Sequence, residues 1–94
     1  ILVFDDASTD NTLTILETYA QQHPHVHIHK NQHNIGFNKN FEQALRAAQT
    51  DWIAISDQDD FWMPNKLERM IEQWNGTSPL MYCDSQRFEN EMPT

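Results

Sequence analysis

The residues best suited to chemistry are three carboxylates within four positions, Asp57, Asp59 and Asp60. They close the stretch Trp52-Ile53-Ala54-Ile55-Ser56-Asp57-Gln58-Asp59-Asp60-Phe61-Trp62. Acids this close repel one another and cost stability unless positive charge sits among them. Their oxygens are the hard donors that Mg²⁺ and Mn²⁺ take. In an arbitrary turn, an Asp-x-Asp is most often just solvated. Here the acids stand where an apolar, β-prone run stops, and that context favours a cation site. A second acid-rich turn, Asp5-Asp6-Ala7-Ser8-Thr9-Asp10, follows the apolar run Ile1-Leu2-Val3-Phe4. An Asp there can accept hydrogen bonds from a base or a ribose. The plainer role, for Asp10 or Ser8, is a helix N-cap.

Two such turns act together only if parallel strands carry both to one sheet edge, because ligands bind beyond the carboxyl ends of strands in open α/β sheets. The remaining pattern supplies that frame. Ile1–Phe4 reads as a strand buried on both faces. Leu13, Leu16 and Ala20 have helical spacing, and the helix should stop before His23-Pro24. Val26–His29 alternates like a strand near a sheet edge. Lys30 to Gly36 is a polar loop in which Gly36 can take a positive φ. Phe37, Phe41, Ala44, Leu45 and Ala48 mark a second helix, and Trp52–Ser56 a third strand. Pro64 suits the first turn of a third helix with Leu67, Met70, Ile71 and Trp74 on its buried face. Asn75-Gly76 ends that helix, and Leu80–Cys83 reads as a fourth strand. Strands alternating with helices predict a three-layer α/β/α fold with a mostly parallel sheet.

Ninety-four residues make one domain at most. Six basic residues stand against fourteen acidic ones, a net charge of -8. That balance argues against binding nucleic acid through its phosphates and against an anionic membrane surface. A phosphorylated ligand would have to be held by a metal, by backbone N–H groups or by a helix N-terminus. The single cysteine, Cys83, permits no internal disulfide, fits a reducing compartment and reads as a small apolar residue. No apolar run is long enough to span a bilayer. The chain opens without Met on a strand-like run, so a fragment of a longer protein is expected.

Three motifs, in order over most of residues 1–88, carry a resemblance. Asp5-Asp6-Ala7-Ser8-Thr9-Asp10 resembles the Asp-Asp-x-Ser-Thr-Asp stretch of the family 2 glycosyltransferases. Asn34-Ile35-Gly36 followed by Asn40 resembles their Asn-x-Gly loop and helix. Ser56-Asp57-Gln58-Asp59-Asp60-Phe61-Trp62 resembles their Asp-x-Asp motif, in a form similar to rhamnosyltransferase-like members. The resemblance implies an incomplete GT-A fold, Rossmann-like, of the nucleotide-diphospho-sugar transferase type, with residues 1–94 as the donor-binding part of a single domain. It implies a bacterial, metal-dependent, inverting transferase, cytoplasmic or at the inner membrane face, of the kind that builds cell wall polysaccharide. The donor would be a UDP, dTDP or GDP sugar and the acceptor a saccharide or a lipid-linked one. Asp6 would bond the base, with Asp5 beside it and Phe4 and Ala7 lining the pocket. Asp59 would hold Mn²⁺ or Mg²⁺, and Asp57 the ribose or the metal shell. Lys39 is the best local cation for the nucleotide, although a solvated lysine is the simpler reading.

The chain departs from the family in lacking an earlier strand that lies beside the one bearing Asp-x-Asp. A missing internal strand leaves a sheet edge that a second copy could fill. The general base that deprotonates the acceptor lies, in the family, beyond residue 94. Glu89 and Glu91 match no motif and are not nominated. Two alternatives stand beside the transferase: a non-catalytic metal- or nucleotide-binding module, and a metal site on His25, His27 and His29, which share one face if all three are on a strand.

Overall fold

The structure, a computed structural model, describes residues 1–83 and Ser85. Among them are five elements: β1 (Leu2–Asp5), α1 (Thr12–Gln22), β2 (His27–Lys30), α2 (Phe37–Ala47) and α3 (Lys66–Gln73). The chain divides into two compact units, Ile1–Ile55 and Ser56–Thr94.

In the first unit β1 and β2 pair in parallel, with Leu2 opposite His27 and Asp5 opposite Lys30. A parallel pair needs a crossover, and α1 supplies it. The helix α1 packs against β2, and α2 packs against β1. The predicted face of α1 holds: Leu13, Leu16 and Ala20 are half-buried, while Ile15 and Tyr19 are exposed. The helix ends at Gln22, and His23 is extended at φ -132, ψ 92, as a residue before proline prefers. Its N-cap is Asn11 rather than Asp10 or Ser8. The Asp10 carboxylate accepts the Thr12 N–H at 2.9 Å and the Thr12 hydroxyl, and the Asn11 carbonyl then takes the first helical bond from Ile15. Val26, at 8% exposure, is the buried apolar residue of the described core. The strand β2 starts one residue later than predicted, which leaves His25 in the preceding turn.

Three strand expectations are corrected. Val3 and Phe4 are half-buried but Ile1 and Leu2 are exposed, so β1 is not covered on both faces. Trp52–Ser56 and Leu80–Cys83 carry no strand, and their large apolar side chains Trp52, Ile53, Ile55, Leu80 and Tyr82 are exposed. A strand exists only beside a neighbour that shares its ladder. Among the described residues β1 and β2 have only each other.

The second unit contains α3. Its N-cap is Asn65, so Pro64 lies in the turn before the helix, closed by the Lys66 N–H on the Met63 carbonyl at 3.0 Å. Met70 is half-buried, while Leu67, Ile71 and Trp74 are exposed. The helix ends at Gln73 with an extended Trp74 as its C-cap, so Trp74 lies outside it and Asn75-Gly76 forms the turn that follows. The Asn75 side chain accepts the Thr77 and Ser78 N–H groups, both at 2.9 Å, and Gly76 has φ 85. No helix among the described residues is long and apolar enough to cross a membrane.

Ala7, just after β1, has φ 58, in the left-handed region that favours glycine. That conformation costs a non-glycine residue roughly 1–2 kcal/mol. Glycine there would also loosen the unfolded chain, at a cost of about 0.4–1 kcal/mol. Ala7→Gly should therefore raise unfolding stability by about 0.5–1 kcal/mol, read as a higher urea midpoint at unchanged slope. A lower midpoint would show that the alanine methyl makes a contact worth more than the strain.

Candidate functional site

The turn after β1 is tied down from two sides. Asp5, only 5% exposed, accepts the Ser8 N–H at 3.1 Å on Oδ2 and the Ser8 hydroxyl on Oδ1. Its carboxylate is thus spent on closing its own turn. Asp6 points the other way. Its Oδ1 accepts the Ile35 N–H at 2.8 Å, and its Oδ2 the Gly36 N–H at 2.9 Å. These donors stand where α2 begins, and Gly36, at φ 89, lets the chain turn from that peptide into the helix. Asn34 adds a bond from its amide to the Asp6 carbonyl at 3.1 Å. The Asn34-Ile35-Gly36 loop and the Asp5-Asp6 turn are therefore one structure.

Three amide side chains complete it. Asn31 donates to Asp6 Oδ1 and to Asn40 Oδ1, both at 3.0 Å, and accepts from Gln43 at 2.9 Å. Asn40 donates to the Phe4 carbonyl at 2.9 Å. Asn31 and Gln43 were not singled out from the sequence. The register explains their place: parallel pairing of Asp5 with Lys30 puts Asn31 beside Asp6, and Asn40 and Gln43 share a face of α2 three residues apart. The Phe4 ring lies against His29, with centroids 5.0 Å apart. Lys39 is exposed on α2 and makes none of these bonds.

In the second unit Asp57, Asp59 and Asp60 converge. Each offers one carboxylate oxygen, and the three lie within 4.8 Å of one another. The Asp60 N–H meets the Asp57 carbonyl at 3.4 Å, so a tight turn sets the spacing. All three are exposed. Among the described residues no Lys, Arg or His forms an ion pair with any of them; the one ion pair is Arg46–Glu42. The Lys66 ammonium lies 4.1 Å from the centroid of the Trp62 ring instead. Three uncompensated hard oxygen donors at this spacing fit a divalent cation.

The histidines do not converge. His23 stacks on Tyr19 at 4.1 Å and meets the edge of His25, while His29 lies on Phe4. Among the described residues the three-ligand group is the aspartate set. Cys83 is exposed rather than buried. Glu89 and Glu91 lie outside the described residues.

Comparison with known proteins places this geometry. The model of the glycosyl transferase family 2 matches residues 1–94. An uncharacterized protein of Mycobacterium tuberculosis is 36% identical over 74 residues, 77% of this chain and 21% of that protein. The dTDP-rhamnosyl transferase RfbG of Shigella flexneri is 35% identical over 77% of this chain and 27% of its own length. Chondroitin synthase of Escherichia coli is 32% identical over 97% of this chain and 13% of its own length. The chain thus spans well under a third of these relatives. No solved structure matches.

The charge of Asp6 gives the site a pH signature. The Ile35 N–H, then Asn31, the Gly36 N–H and the nearby His33 hold its carboxyl below the ordinary 3.8. The Thr12 hydroxyl and N–H do the same for Asp10. A carboxyl depressed in the folded chain adds stability above its unfolded value, and that stability is lost as the pH falls through its folded value. The stability gap between the native chain and Asp6→Asn should therefore be flat above about pH 5 and narrow progressively below 3.8. Urea melts across that range would measure it. A gap that stays constant to the acid limit would mean Asp6 is not ionised in these bonds.

Proposed function

Because this chain belongs to glycosyl transferase family 2, we propose that it supplies the donor half of an enzyme that transfers a sugar, with inversion, from a nucleoside diphosphate to a hydroxyl of a saccharide or lipid-linked acceptor. The observation that carries this reading is the exposed turn of Asp57, Asp59 and Asp60, whose oxygens lie within 4.8 Å with no cation among the described residues paired to them. Asp59, with Asp57, would hold Mn²⁺ or Mg²⁺. Such an ion, when bound, supplies Lewis-acid stabilisation of the charge on a departing diphosphate, typically several kcal/mol.

The protein's own residues do the rest. Residues Phe4, Asp5, Asp6 and Ala7 form the nucleotide pocket, and Lys39, exposed on α2, is its candidate cation. Asp6 Oδ2 takes a single bond, from Gly36, so it keeps a lone pair for a donor on the base. Asp5 acts by holding the turn rather than by touching ligand. A chain with a net charge of -8 gains no favourable field for a diphosphate without a bound cation. The likeness to a dTDP-rhamnosyl transferase makes dTDP the first nucleotide to try. No group in this chain is assigned as general base.

Calorimetric titration of dTDP, UDP and GDP, each with and without Mn²⁺, tests the reading. One nucleotide should bind at least about ten-fold more tightly with Mn²⁺ than without it, and Asp59→Asn should remove that enhancement. Residues 1–94 alone, in which no general base is assigned, should give no detectable sugar transfer. Failure of all three nucleotides to bind a chain shown folded by circular dichroism would sink the proposal, and robust turnover would show that a general base lies within residues 1–94.

A further inference from the structure

We infer that Asn31 is a positioning residue of the donor pocket: without touching ligand, it fixes the aim of Asp6 and, through Asn40, of the Phe4 carbonyl. The inference rests on the reading of residues 4–7 as the nucleotide pocket.

Every amide orientation in the network is forced by chemistry. A carboxylate only accepts, so the edge of Asn31 that meets Asp6 Oδ1 is its Nδ2. A peptide carbonyl only accepts, so Asn40 presents Nδ2 to Phe4 and turns its Oδ1 back to Asn31. Both Nδ2 protons of Asn31 are then used, one on each acceptor. Its Oδ1 faces Gln43, which must present Nε2. No other side chain of this size donates twice and accepts once in one plane. Aspartate cannot donate, serine donates once, and leucine does neither.

Place and burial add to this. Asn31 is the residue at which β2 leaves the sheet, and its N–H bonds the Asp5 carbonyl at 2.9 Å. It is 8% exposed, so water has little room to replace a lost bond. The side chain thus links the end of β1, the end of β2 and the first turns of α2. Asp6 keeps one lone pair for ligand, and the direction of that lone pair is set by the bonds on its other positions.

Two variants test the inference in this chain. Asn31→Asp keeps the shape and the acceptor toward Gln43, but loses both donations and sets a like charge about 3 Å from Asp6. Gln43→Met removes only the outer bond. Affinities for dTDP, UDP and GDP and for their bare nucleosides would be measured with and without Mn²⁺. For the nucleotide that binds, Asn31→Asp should weaken both nucleotide and nucleoside about ten-fold, and Gln43→Met about three-fold. The Mn²⁺ enhancement ratio should stay at the native value in both variants, while Asp59→Asn abolishes it. A merely structural role would instead lower the ratio together with the affinity. Native nucleoside affinity in a folded Asn31→Asp overturns the inference. If Asn31→Asp does not fold, native nucleoside affinity in Gln43→Met overturns it. Absence of nucleotide binding by the native chain overturns the donor-site reading and the inference together, an outcome distinct from native binding that both variants share.

Discussion

The carboxylate of Asp6, shared between the amides of Ile35 and Gly36, is the interaction on which the first unit depends. A helix begins with amide donors that have no partner inside it and with a partial positive charge at that end. Asp6 stands at that end of α2 and answers both. It also fixes where α2 starts relative to the end of β1, and so where Asn40 meets the Phe4 carbonyl. The left-handed backbone at Ala7 is the cost of aiming two successive acids in opposite directions, Asp5 into its own turn and Asp6 toward α2.

The two acid-rich turns solve the same electrostatic problem differently. After β1, neutral donors from the chain itself surround the charge, so Asp6 stays ionised with no cation. After residue 56, the charges of Asp57, Asp59 and Asp60 are held close by the backbone and left to solvent. The first turn is internally satisfied. The second is electrostatically incomplete, and a multivalent cation is the simplest group that would complete it.

Much of this was legible in residue order. The helices α1, α2 and α3 follow their apolar spacing, the stop before His23-Pro24 is where proline requires it, and the strands β1 and β2 each differ from expectation by one residue. The motifs also pointed to the α/β GT-A fold that accompanies the family. What failed was what depends on neighbours. Trp52–Ser56 has every local mark of a strand, but a strand is a property of a pair. Likewise Leu67 and Ile71 were read as buried from a spacing that reports only which residues share a face. Asn31 and Gln43 were missed because amides give no periodic signal. Their role appears only once the strand register is known.

The Asp6–Gly36 bond joins residues thirty positions apart in the chain. Closing such a loop costs entropy before any contact rewards it, and parallel pairing with its intervening helix belongs to the slow, non-local class of folding events. The Asp5–Ser8 bonds can close the turn locally, but the aim of Asp6 has no local route to its final state. A peptide ending before residue 31 would contain both acids and the strained alanine, but none of the amides that orient Asp6. The aim of Asp6 is thus a late product of folding, made when α2 docks on β1, although its residue is among the first in the chain.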